Sequence, residues 1–285
     1  MADAFLDKIV AWATGEEPIR GLVLQGSKAE PGATDRLSDY DINVFVTEHA
    51  PYTDDDAWMS TIADVWVYIP EKGYHNGKQY PNRLVIFRGG VKVDFSFLPA
   101  TALEDFAESD PLPDFYDCGY QLLLDKDAVA KSMCPPSFTA YRRGKPTSQE
   151  FRECVCEFWF EAYHIAKYLW RDDLWIAKFR DWTTKEQLMK MIQWSERGKH
   201  AWDLKTHPLG KQMKSWVCPK TWESLHRCFG RFDREDAWRA MFATLELFGR
   251  VARETAQLLG CEYPAEIEDN IVSFAKELRK DAAQQ

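Results

Sequence analysis

The sequence predicts an α+β protein in two parts: a mixed β-sheet with flanking helices over residues 1–125, then an all-α helical bundle over residues 147–285. Short runs of alternating apolar and polar residues, separated by turn signals, fill the first part. Beyond residue 147, apolar residues recur at spacings of three and four almost without a break. Nine of the twelve tryptophans lie from Trp159 onward, so the two parts are built differently.

Each element follows in order. Residues 2–14 pattern as a short amphipathic helix with Phe5, Ile9 and Trp12 on one side. Ile19 to Leu24 is a strand-like run ending at Gly26-Ser27, and a polar loop follows. Asp39 to Val46 alternates residue by residue, and Trp66 to Ile69 is another strand candidate. Leu84 to Phe87 and Val91 to Leu98 flank Arg88-Gly89-Gly90 as a hairpin, and Gln121 to Leu124 adds a final strand. Residues 126–146, with Pro135, Pro136, Gly144 and Pro146, read as a linker. Thr147 with Glu150 forms a capping-box pattern, and Phe151, Val155, Phe158, Ala162, Ile165 and Leu169 make one apolar stripe behind it. Thr183 with Glu186 is expected to cap a second helix. Residues 219–229, 234–259 and 264–280 supply more, the last with Pro264 in its first turn.

Bulk properties narrow the function. A hydrophobic content of 45% with 28% charged residues is that of a soluble globular protein. The net charge of −9 argues against a general nucleic-acid partner, which needs basic surface, and suits cationic ligands. The only close pair among the seven cysteines, Cys154 and Cys156, lacks the two-residue gap of zinc and redox motifs. Reduced thiols, an N-terminus with acids where a signal peptide needs bases, and no membrane-length apolar run lead to an expected cytoplasmic protein with no membrane association; a monomer is expected.

The chemistry concentrates in two strands and a turn. Alternation puts Asp39, Asp41 and Asn43 on one face of DYDINVFV and Tyr40, Ile42 and Val44 on the other. The two carboxylates then stand about 6.6 Å apart along the strand, within reach of two Mg²⁺ ions about 3.5–4 Å apart, the spacing used for in-line phosphoryl displacement. In VKVDFSF the same rule buries Val91, Val93, Phe95 and Phe97 and leaves Lys92, Asp94 and Ser96 opposite. If the strands are neighbours, Asp94 completes a three-carboxylate site. Such a cluster of like charges needs bound cations or a raised pKa. Gly26 allows a sharp turn close to a ligand, where backbone N–H groups and the Ser27 hydroxyl can bind triphosphate oxygens, with Lys28 adding charge. Taken singly, each feature also fits an ordinary turn or a solvated strand face; their order along the chain is what favours metal binding.

LQGSKAE, LSDYDINVFV and VKVDFSF together resemble the nucleotidyltransferase core shared by DNA polymerase beta, the poly(A) polymerases and the antibiotic nucleotidyltransferases. In the helical part, CEFWFEAYHIAKYLWRDDLWIAKF, LMKMIQW and HPLGKQMKSW are similar to the aminoglycoside 6-adenylyltransferases that modify streptomycin. The resemblance runs from about Gly21 past Trp222, and departs at Lys28, where relatives are expected to carry arginine. It implies transfer of AMP from Mg-ATP to a ring hydroxyl of an aminoglycoside, with release of pyrophosphate. It further implies that Asp39 and Asp41 hold both metal ions, that Asp94 binds the catalytic metal near the attacking hydroxyl and either lowers its pKa or takes its proton, and that Gly26 and Ser27 grip the outgoing phosphates. Acceptors of another kind, whether small molecule, protein or RNA end, and a non-catalytic nucleotide-binding role stay open, though no lost carboxylate supports the last.

Residues of the helical part are read for the acceptor. Glu150, Glu153, Glu157 and Glu161 form an acidic stripe that either neutralises a cationic acceptor or is a solvated face. Glu157, inside the family-like stretch, is the leading candidate, and Glu161 follows it. Asp172 and Asp173 either bind acceptor or cap the next helix. Lys167 and Arg171, one turn apart, either reach the ATP phosphates or snorkel at the surface. His164, His200 and His207 read as structural.

Overall fold

The computed structural model describes residues 3–30, 32, 35–139 and 144–284. The polar loop after Gly26-Ser27 and the predicted linker each fall partly outside these residues. The chain forms two compact units, Met1–Ala140 and Tyr141–Gln285.

The first unit opens with helix α1 (Ala4–Gly15), capped by Asp3, whose Oδ1 accepts from the N–H groups of Phe5 and Leu6 at 3.2 Å each. Strands β1 (Ile19–Gln25) and β2 (Tyr40–Val46) follow, then the short helices α2 (Ala50–Thr53) and α3 (Trp58–Ile62). Next come β3 (Val65–His75), β4 (Lys78–Phe87) and β5 (Val91–Pro99), helices α4 (Thr101–Ala107) and α5 (Asp114–Asp117), and β6 (Tyr120–Asp125). The sheet has the order β3-β4-β5-β2-β1-β6; only the β2–β5 pair is parallel, which makes it the expected mixed sheet.

Two of these strands outrun their predicted lengths. β3 and β4 continue to a two-residue turn at Asn76 (φ 48°) and Gly77 (φ 72°), the backbone that twisted hairpins favour. Both faces of the sheet are covered around β1 and β2. Ile9, Trp12, Leu22, Ile42, Val44, Phe95 and Phe97 pack on one face, and Val23, Phe45, Leu103, Phe106 and Tyr116 on the other. Asn43, expected on an open face with the aspartates, is therefore buried, and its Nδ2 donates to the Tyr116 hydroxyl at 2.6 Å. Asp39 sits one residue ahead of β2 rather than within it. Residues 126–139 of the predicted linker are tied to this unit: Asp125 accepts from the N–H groups of Val129 and Ala130, and Asp117 from those of Ser137 and Thr139.

In the second unit, α6 (Ser148–Trp170) starts at a complete capping box of Thr147 and Glu150, and all six residues of the predicted stripe are buried. Helix α7 (Leu174–Lys199) runs unbroken, so Thr183 lies in its interior and caps nothing. Helix-forming residues on both sides of Thr183, with Ala177 and Leu188 buried, leave no break for a cap to serve. Helices α8 (Met213–Trp216), α9 (Pro219–Cys228), α10 (Arg234–Leu259) and α11 (Ala265–Ala282) complete the bundle. Pro264 takes the cap position of α11, one residue before the first turn. Phe158 and Phe248 stack at the centre, 3.5 Å between ring centroids, with Trp159 edge-on to both. All seven cysteines are free. Among the described residues, no helix is long and apolar enough to cross a membrane.

Candidate active site

Register brings the aspartates together. Asp41 on β2 pairs with Gln25 on β1 and with Asp94 on β5, so one row crosses three strands at the same level. Adjacent strands lie roughly 4.8 Å apart, and paired residues of a sheet share a face, so the Asp41 and Asp94 side chains leave the sheet side by side. Asp39, just before the strand, contributes a carboxylate that is 44% exposed.

Lys92, two residues before Asp94 on the same face of β5, links the outer two acids. Its Nζ donates to Asp39 Oδ2 at 2.9 Å and to Asp94 Oδ2 at 2.8 Å. Burial pulls the lysine pKa down, but the bonds to Asp94 and Asp39 outweigh it and leave the pKa raised. Alternation had put Lys92 beside Asp94 without giving it a role; its reach to Asp39 depends on how β2 and β5 pair. Asp94 Oδ1 is buried and has no hydrogen-bond partner. Among the described residues, no three His, Cys, Asp or Glu side chains form a ready-made metal cage, and the lysine ammonium lies between two of the acids.

The turn after β1 closes over Asp41. Gly26 has φ 72°, and a Cβ on it would stand 2.1 Å from Asp41 Oδ2, so only glycine allows this approach. Gly26, Ser27 and Lys28 form one 3₁₀ turn whose first carbonyl accepts from the N–H groups of Ala29 and Glu30. Lys28 is directed elsewhere: its Nζ lies 4.0 Å from the centroid of the Tyr40 ring and 3.8 Å from Asp3 Oδ2. Tyr40 belongs to the core on the face opposite Asp41. The Tyr40 hydroxyl donates to Asp3, and burial first, then that bond, push the phenol pKa well up.

The profile of the streptomycin adenylyltransferase family matches residues 1–278. This chain belongs to that family. It is a nucleotidyltransferase. The aminoglycoside 6-adenylyltransferase of Bacillus subtilis (strain 168) is 27% identical over 276 residues, 93% of this chain and 92% of that protein. The Campylobacter jejuni enzyme of the same name is 28% identical over 267 residues, 90% and 89% of the two chains. A crystal structure of an aminoglycoside 6-adenyltransferase from Bacillus subtilis aligns over 96% of this chain and 97% of that one, at 21% identity and a TM-score of 0.47.

The acceptor and nucleotide residues expected in the helical unit lie in different surroundings. Glu157 is exposed on α6. Glu161 is not part of an open acidic face: it is only 4% exposed and accepts from Arg180 Nη1 of α7 at 3.0 Å. Helix α7 covers that turn of α6, so the stripe ends at Glu157, and Glu150 is committed to the capping box. Asp172 occupies the α6–α7 turn with φ 58°, exposed and 4.0 Å from Arg234 Nε. Asp173 holds the cap position of α7, but its exposed carboxylate makes no capping bond. The Lys167 ammonium lies 4.9 Å from the Tyr163 ring centroid, and the Arg171 guanidinium 5.8 Å from that of Tyr168. A cavity of about 700 Å³ walled by Trp182, Met189, Ile192, Met213, Trp222 and Phe229 holds none of the expected residues.

Proposed function

We propose that this enzyme transfers AMP from Mg-ATP to a hydroxyl of an aminoglycoside of the streptomycin class and releases pyrophosphate. The reading rests on the row formed by Asp41 and Asp94, with Gly26 closed over it, in a chain whose relatives are named for adenylyl transfer to aminoglycosides. Carboxylate oxygens are the donors that hard Mg²⁺ prefers, and the unpartnered Asp94 Oδ1 leaves a lone pair open to a cation. Asp39, Asp41 and Asp94 would hold a pair of such ions. When bound, Mg²⁺ neutralises charge on the phosphates and on the phosphoryl group in transit.

The chain's own groups do the rest. Backbone N–H groups and the hydroxyl of the Gly26–Ser27 turn hold the departing phosphates, as nests of N–H groups hold anions. Asp94 accepts the proton of the attacking hydroxyl, and positioning supplies most of the acceleration. In the helical unit, the exposed acids Glu157, Asp172 and Asp173 are the candidates for receiving a cationic acceptor, and Lys167 and Arg171 those for contacting the nucleotide. Free thiols and the use of ATP suit a cytoplasmic enzyme.

Pyrophosphate release from Mg-ATP, measured across an aminoglycoside panel, tests this. Streptomycin is expected to support turnover, and Asp41→Asn to lower it at least about a hundredfold. Undiminished release in Asp41→Asn and Asp94→Asn would refute the carboxylate assignment. Silence with the whole panel would move the acceptor to another class.

A further inference from the structure

Two acids from different segments share one ammonium. Asp39 Oδ2 and Asp94 Oδ2 both accept from Lys92 Nζ, at 2.9 and 2.8 Å. Without a cation between them these carboxylates would repel, so the lysine is what holds the cluster together in metal-free protein. Lysine suits such a temporary post: it is a compact charge on a flexible stem, and here its side chain is 33% exposed. It can swing out without disturbing Val91 or Val93, which anchor the strand on the other face. A divalent ion drawn to the same carboxylates would meet the ammonium at short range, and two cations there repel.

We propose that Lys92 is a built-in competitor of the divalent cation: a positioning residue that keeps Asp39 and Asp94 together in the metal-free enzyme and must leave when metal binds. The lysine thereby sets the divalent concentration at which the site assembles. This rests on the metal-binding reading of the three aspartates given above. Removing the charge has two consequences of opposite sign. The metal-free protein loses a bridge between two acids and becomes less stable, while the site binds metal more tightly because nothing has to be expelled.

Calorimetric titration with Mn²⁺, a hard-oxygen stand-in for Mg²⁺, reads the second effect, and melting in EDTA reads the first. Lys92→Met is expected to bind Mn²⁺ about tenfold more tightly than wild type and to melt lower in EDTA. Lys92→Gln, which keeps a polar head without the charge, is titrated alongside in case the methionine variant folds poorly, and should tighten likewise. Lys92→Arg, which keeps the charge, should stay within about threefold of wild type. A lysine with a merely structural role would lower the melting temperature without tightening metal. Wild type that binds Mn²⁺ while the neutral variants bind it no more tightly would overturn the competitor role and leave the carboxylate site standing. Absence of Mn²⁺ binding in every protein would overturn the metal reading, and this inference with it.

Discussion

Gly26 and Asp41 touch more closely than any side chain other than hydrogen would permit. A methyl at position 26 would fall 2.1 Å from Asp41 Oδ2, at a backbone angle of φ 72° that already disfavours alanine. Gly26→Ala must therefore turn the Asp41 carboxylate out of its row or shift the turn. Misplacing a catalytic group by about 1 Å can cost roughly a hundredfold in rate. Pyrophosphate release is expected to fall by that order while the circular dichroism spectrum stays native; an alanine variant with wild-type turnover would show that the contact does not position Asp41. The glycine, Ser27 and all three aspartates were legible in the sequence, because strand periodicity and a turn glycine are local signals. Lys92 was visible as a face-sharing neighbour of Asp94, but its bond to Asp39 belongs to a pairing of distant strands. Asn43 and Glu161 misled for a related reason. Spacing tells which face a residue takes, and says nothing of what covers that face: Tyr116 for Asn43, Arg180 of α7 for Glu161.

Among the elements, α6 shows how far local chemistry specifies a helix. Thr147 Oγ1 accepts from the Glu150 N–H at 3.1 Å, while Glu150 Oε2 accepts from the Thr147 N–H at 2.8 Å. Two of the N–H groups that a helix start leaves without intrahelical partners are thus satisfied, on a surface where packing contributes little. Thr147→Ala should cost about 1 kcal/mol, read as a lower denaturation midpoint at unchanged slope. No loss would mean that water replaces the cap fully. The same Thr-x-x-Glu spelling at Thr183 and Glu186 lies inside α7, where the preceding turn already supplies carbonyl partners for these N–H groups. A cap motif is informative only where the chain before it cannot be helical, which the prolines and glycine ahead of Thr147 ensure and the residues ahead of Thr183 do not. Asn76-Gly77 is the opposite case: a strong hairpin signal that fixes the length of β3 and β4 although charged residues interrupt the apolar runs beside it.

At the scale of the whole molecule, the tryptophan asymmetry reports two separate cores. Every fully buried member of the helical core, from Phe151 to Ala275, lies within Tyr141–Gln285, including Phe158, Trp159, Trp238 and Phe248. The length of that unit is typical of a single domain, and among the described residues its core cluster is made of its own residues. A protein made of residues 141–285 alone is therefore expected to fold, with strong helical circular dichroism and one cooperative melt. Its near-ultraviolet spectrum should keep the sharp tryptophan bands of rings fixed in a packed interior, since Trp159 and Trp238 are wholly buried members of that unit's core cluster. The fragment should release no pyrophosphate from Mg-ATP, because Asp39, Asp41, Asp94 and the Gly26 turn all belong to Met1–Ala140. Helical content without fixed tryptophan bands would mean that the bundle collapses but does not pack alone, and would contradict the self-sufficient core that the buried residues describe.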